Sequence, residues 1–162
     1  MQKEQAPVYT LENKNFDLTT WLRPLALITV LVGIGISGYL SYVQIVDVDI
    51  VCAAGSSFDC GVVQNSIYAK LFGIPVGFLG FASYLVIGGL LLLEDRLPID
   101  ASTVKLITFG IVLIGWVFSM WLVYVQGSIL EAWCNWCLAH EVNFTVLFGI
   151  VSLRLRNNLF AS

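Results

Sequence analysis

The sequence predicts an all-α protein: an integral membrane four-helix bundle with a cysteine-bearing loop on the extracytoplasmic side. Three observations predict it. Hydrophobic residues make up 58% of the 162 residues and charged residues only 12%, against about 45–50% and about 25% in soluble domains. Four segments are long and apolar enough to cross a bilayer, which takes about 20 mostly apolar residues. Seven of the eight basic residues fall at segment ends that one orientation places on a single face. The net charge of -3 is small, and no Lys/Arg cluster or low-complexity tail is present, so nothing points to nucleic acid.

Taken in order, residues 1–24 read as a tail, 25–155 as the bundle and 156–162 as a second tail. Span 1 is Leu25–Val46, with Pro24 suited to its first turn. It is longer than the apolar region of a signal peptide and lacks a small-x-small cleavage site after it, so it is expected to be retained. A loop follows, carrying Cys52 and Cys60, with Asp47, Asp49 and Asp59 expected to raise nearby thiol pKa values slightly. Span 2 is Ile74–Leu93, with Pro75 in its first turn. A short connection, 94–103, leads to span 3, Val104–Val125. After a turn at 126–133, span 4 runs from about Cys134 to Leu153, interrupted by His140, Glu141 and Asn143. No fifth crossing is expected within these residues.

Basic residues set the direction. Lys3, Lys14 and Arg23 precede span 1, Arg96 and Lys105 flank the 94–103 connection, and Arg154 and Arg156 follow span 4; only Lys70 falls on the other face. The positive-inside rule puts both termini in the cytoplasm of a cell with a multi-pass inner or plasma membrane protein. All four cysteines then lie on the oxidising side, where disulfides persist, with Trp121, Trp133 and Trp136 near that interface. Small residues at four-residue spacing (Gly33, Ser37 and Ser41; Gly73 and Gly77; Gly115 and Ser119) allow close helix approach.

The cysteines carry the chemistry. Cys134 and Cys137 share a face at a helix start, where the dipole and free N–H groups favour thiolate, and they can close a CxxC disulfide. Cys137 lies about one turn deeper. The Gly/Ser-rich stretch between Cys52 and Cys60 is flexible enough to bring that pair together and to present Cys60 to Cys134. Two pairs on one side make a relay for disulfide exchange, and the natural electron acceptor within a bilayer is a quinone. His140 or Glu141 is placed to handle quinone protons, or else to snorkel or hydrogen-bond Asn143 or Ser119. Being adjacent, the two are not expected to face the same way. Two plainer readings compete: a non-enzymatic membrane scaffold with two structural disulfides, and a zinc site. The seven residues between Cys52 and Cys60 fit no zinc-binding pattern, and no metal is expected.

Together, Cys52 and Cys60, Ser66 six residues later, the run Leu71-Phe72-Gly73-Ile74-Pro75-Val76-Gly77, and Cys134-Asn-Trp-Cys137 resemble the vitamin K epoxide reductase family in its bacterial form, over roughly Leu25 to Leu153. The resemblance implies that Cys134 and Cys137 are the active pair beside a quinone, with Cys137 facing the ring. It implies that Cys60 shuttles electrons by a mixed disulfide with Cys134, and that Cys52 meets the reduced partner. Ser66 and Phe72 would line the quinone pocket, with Glu141 where the animal enzymes have tyrosine. Ala69 stands nearest the position of an animal asparagine, so plain quinone reduction is favoured over epoxide reduction. A thioredoxin-like domain, fused in many bacterial members, is not seen here, so a thioredoxin-fold oxidase acting in trans is the expected partner.

Overall fold

The computed structural model describes residues 18–46, 48, 50–52, 55, 58–98 and 100–161. Lys3, Lys14, Asp47 and Asp49 lie outside the described residues, as does the tail before residue 18. The elements, in order, are α1 (Leu18–Val46), α2 (Cys60–Asn65), a 3-10 turn (Ile67–Ala69), β1 (Lys70–Leu71), β2 (Ile74–Pro75), α3 (Val76–Leu93), α4 (Ala101–Ser128) and α5 (Asn135–Ala161). Among the described residues, four helices (α1, α3, α4 and α5) are long and apolar enough to cross a membrane. The chain is a multi-pass membrane protein built as a four-helix bundle.

The predicted spans are all present, but their ends move. α1 begins at Leu18, so Pro24 sits inside the helix and not in its first turn. Its missing N–H forfeits one backbone bond, a loss that membrane helices accommodate, and its ring is exposed. α4 starts at Ala101 because Asp100 Oδ2 accepts the Ser102 N–H at 3.1 Å, which satisfies an orphan donor of the first turn. α5 runs through Arg154 and Arg156 to Ala161. Arg154 is buried because it meets Glu94 at 2.8 Å, and Lys105 approaches the same carboxylate at 3.7 Å. Arg23 donates to the Leu91 and Leu92 carbonyls at the end of α3, which would otherwise lack helical partners.

α1 packs on α3 and α5, and α5 also packs on α4. Fully buried Tyr84 stands at the centre. It fits because Gly33 has no side chain: a Cβ there would lie 2.1 Å from the tyrosine ring. Gly77 faces Ser41 and Gly115 faces Phe144 in the same manner, at 3.1 and 2.8 Å. Gly33, Gly77 and Gly115 thus sit at close approaches of the kind small-residue spacing allows, whereas Gly73 lies in the turn before α3 with nothing against it. Asn143 ties three helices together, donating at 3.0 Å both to the Thr29 carbonyl and to the Tyr84 hydroxyl.

Before α3 the chain makes a two-residue hairpin in which Lys70 pairs with Pro75 and Leu71 with Ile74. Phe72 and Gly73 both have positive φ, 51° and 83°. That is the mirror-image turn that matches strand twist, and glycine adopts it without steric cost.

Candidate functional site

The site forms at the end of the bundle where α1 and α4 finish and α3 and α5 begin. Cys134 immediately precedes α5, and its carbonyl accepts the Leu138 N–H at 2.9 Å. Its sulfur accepts the Cys137 N–H at 3.4 Å. Cys134 therefore caps α5 through its sulfur, and Cys137 is the third helical residue, the relation a capping serine has to the N–H three residues on. The CxxC spacing is also a capping spacing, and it holds both sulfurs at the positive end of the helix dipole.

The Cys137 thiol hydrogen-bonds to the Cys134 sulfur, and this contact does most to lower the Cys134 pKa to about 7. Burial opposes the shift, while the N–H groups of Cys137 and Trp136 and the Gln64 amide support it, each by favouring the anionic sulfur. The Cys134 N–H donates to Gln126 Oε1 at 3.1 Å. The Ala132 N–H donates to the Gln126 carbonyl at 3.2 Å. Buried Gln126 thus folds the turn after α4 back onto its own helix and fixes where α5 starts.

Above this pair lies the loop cysteine pair, joined as a Cys52–Cys60 disulfide with Cα atoms 5.8 Å apart. Asp59 caps α2, its Oδ1 accepting the Val62 N–H at 2.9 Å, so the carboxylate expected to make the loop acidic is engaged in holding Cys60 at a helix start. The loop is stitched to the approach to α5. The Asp59 N–H donates to the Trp133 carbonyl at 3.1 Å, and Trp136 Nε1 donates to the Val51 carbonyl at 2.8 Å. Cys60 and Cys134 consequently share one buried cluster with Val63 and Ala132, and Cys60 Sγ lies 3.1 Å from Asn135 Oδ1. That approach is a contact while Cys60 is in the disulfide and becomes a hydrogen bond once it is a thiol. One helical turn along α2, Gln64 Nε2 donates to Cys137 Sγ at 3.6 Å.

Below the sulfurs is a cavity of about 150 Å³, lined by all four long helices together with Gln64, Ser66 and Cys137. A volume of that order in an apolar core accommodates one benzene-sized ring. Glu141 follows Cys137 by four residues and so shares its helix face; it is 7% exposed, and its Oε2 accepts the Ser119 hydroxyl. Among the described residues, its other oxygen, Oε1, has no hydrogen-bond partner.

His140 lines the same cavity, contrary to the expectation that adjacent residues would face different ways. Neighbours on a helix are separated by about 100°, and the cavity wraps far enough around α5 to meet both. His140 lies 5.6 Å from the Tyr84 ring and 5.8 Å from the Phe144 ring. Gly80 leaves room for it, since a Cβ there would be 3.3 Å from Nε2. Of the two hydrogen-bond partners considered for these residues, Ser119 takes Glu141, whereas Asn143 points elsewhere.

Ser66 also lines the cavity, with its hydroxyl donating to the Val63 carbonyl at 2.8 Å. Phe72 does not. It is 96% exposed at the tip of the hairpin, because the left-handed turn swings its side chain away from the bundle. The structure thus brings together Cys52, Cys60, Cys134, Cys137, Ser66 and Glu141, and leaves Phe72 out. Sequence reasoning missed Gln44, Gln64 and Gln126. Their signal was present: each is an uncharged amide within or beside an apolar segment, where an unpaired polar group is costly.

Two comparisons with known proteins bear on this site. The model of the vitamin K epoxide reductase family matches residues 11–152. The "Thiol-disulfide oxidoreductase LTO1" of Arabidopsis thaliana is 33% identical over 118 residues, covering 69% of this chain and 31% of that protein. The chain thus corresponds to about a third of that relative's length.

Proposed function

Because the chain belongs to the vitamin K epoxide reductase family, we propose that it is a membrane thiol–disulfide oxidoreductase passing electrons from a reduced thioredoxin-fold partner to a quinone. The observation that carries this reading is an oxidised Cys52–Cys60 pair packed against a reduced Cys134/Cys137 pair that borders a ring-sized cavity. A scaffold held by two structural disulfides has no need for one pair to border a cavity, as Cys137 does here. The similarity to a thiol-disulfide oxidoreductase supports the same reading.

In this relay a partner thiol attacks Cys52 and releases Cys60; the partner's second thiol then displaces Cys52 from that mixed disulfide, so the partner departs oxidised and both loop cysteines are thiols. Cys60 then attacks Cys134 when that pair is oxidised, forming a Cys60–Cys134 mixed disulfide and freeing Cys137. A second exchange, Cys52 attacking Cys60, restores the loop disulfide and leaves Cys134 and Cys137 reduced, the arrangement seen here. A quinone, when bound, supplies a sink for two electrons and two protons. Cys134 and Cys137 deliver both electrons by closing their disulfide, and their two thiol protons balance the two taken up. Cys137 borders the cavity directly, the Gln64 amide steadies its sulfur, and Cys134, the more acidic thiol, closes the disulfide. Ser66 and Glu141 are polar groups on the wall of the cavity that would take the ring. The partner leaves oxidised and competent to form disulfides in exported proteins, and the relay faces outward with both termini in the cytoplasm.

The test uses protein purified in detergent, a quinone and a reduced thioredoxin-fold donor, with quinone absorbance followed over time. Wild type is expected to consume the quinone. Cys137→Ala is expected to consume none; before donor is added, its Cys134 thiolate can attack Cys60 of the loop disulfide and release Cys52, giving a Cys60–Cys134 mixed disulfide visible on a non-reducing gel. Full turnover by Cys137→Ala would overturn the reading.

A further inference from the structure

The cavity's polar groups differ in what they leave free. Ser37 and Ser83 donate to helix carbonyls one turn back, and Ser66 to Val63. Ser119 donates to Glu141, Gln64 to Cys137, and Gln126 accepts from Cys134. Among the described residues, two buried side-chain oxygens have no hydrogen-bond partner: Glu141 Oε1 and Gln44 Oε1. Both residues line this one cavity. They reach it from different walls, Glu141 from α5 and Gln44 from the last turn of α1, where its Oε1 lies 3.5 Å from the Cβ position of Gly77. Buried polar atoms are almost always paired, and an exception calls for a missing partner.

Resting on the quinone reading above, we propose that Gln44 and Glu141 are the specificity-determining contacts for the two ring oxygens, and that Gln44 is a headgroup-binding residue. The chemistry suits both redox forms. A side-chain amide can turn either its N–H₂ or its oxygen to the ligand. A carboxyl donates when it carries its proton and accepts when it does not. Ser119 already occupies Glu141 Oε2, so Oε1 is the atom left to face the ring. A carbonyl of the oxidised ring and a hydroxyl of the reduced ring can therefore be held at the same two points. A ring with no oxygens would leave both groups buried and unpaired, the situation in which a site rejects an isostere most strongly.

The test is a binding measurement, independent of turnover, on the full chain in nanodiscs. Hydroquinone is compared with para-xylene, which puts methyl groups where the hydroxyls stand, after correction for membrane partition. Wild type is expected to bind hydroquinone at least about tenfold more tightly, as one retained hydrogen bond implies. Gln44→Met, close in shape but without the amide, is expected to lose about tenfold in hydroquinone affinity and none for para-xylene. Equal hydroquinone affinity in Gln44→Met and wild type would overturn the assignment of Gln44. Should Gln44→Met not fold, the two ligands on wild type still decide, because equal binding refutes recognition through the ring oxygens. If both rings bind alike while quinone is still reduced, this inference alone fails. If neither ring binds and no quinone is consumed, the functional reading falls with it.

Discussion

At the scale of single residues, the informative atom is the Cys134 sulfur. It caps a helix, accepts a hydrogen bond from the thiol three residues on, and its pKa is lowered to about 7. The sign of the pH effect follows: above that value the sulfur is thiolate and can close the disulfide, and below it the proton must first leave. Quinone reduction is therefore expected to slow as pH falls through about 7. The direct check is the ultraviolet absorbance of the thiolate, titrated with the Cys52–Cys60 bond intact. With Cys52 and Cys60 both replaced by alanine, so that Cys134 has no disulfide to attack, Cys137→Ala removes the largest lowering contact, and its titration is expected to shift upward toward the ordinary thiol range; an unmoved curve would contradict the assigned cause. The CxxC motif and its helix-start setting were legible in the sequence. The amides of Gln64 and Gln126 that hold the two sulfurs were not. Gln64 reaches Cys137 from 73 positions away, through the docking of α2, and no local pattern encodes that contact.

At the scale of elements, periodic small residues and apolar length were enough to place the four crossings. Their ends were harder to read, because helix termini depend on where charges find partners. Arg154 is expected just beyond the end of span 4 at Leu153, yet α5 carries it on as a buried residue since Glu94 neutralises it. With Glu94 8% and Arg154 10% exposed at their side chains, removal of one partner strands a buried charge, which costs about 3–5 kcal/mol. Glu94→Ala is expected to lower the unfolding midpoint in detergent accordingly. Glu94→Leu combined with Arg154→Leu is expected to recover most of it. Equal midpoints for wild type and Glu94→Ala would show that the pair contributes nothing. The hairpin after α2 departs from expectation as well: the resemblance makes Phe72 a pocket wall, but the left-handed turn on which it sits carries its side chain away from the bundle.

At the scale of the whole molecule, the two ends of the bundle are chemically opposite. One holds the ion pairs of Arg23, Glu94, Asp95, Lys105 and Arg154; the other holds the cysteines and the cavity. The proposed orientation predicts that, in right-side-out vesicles, a membrane-impermeant thiol reagent labels Ser128→Cys and spares Ser102→Cys, in a background lacking the four native cysteines. The reverse pattern would invert the topology. The closed roof over Cys134 has a consequence of its own. With the loop stitched to Trp133 and Trp136, the Cys134 sulfur has no exposed surface, so small thiols dissolved outside have no contact with it. In the proposed relay that burial acts as insulation between two reservoirs held at different potentials. Current flows only through the loop disulfide, at the command of whatever can dock on Cys52, and the membrane store of oxidant does not leak away into every thiol that drifts past.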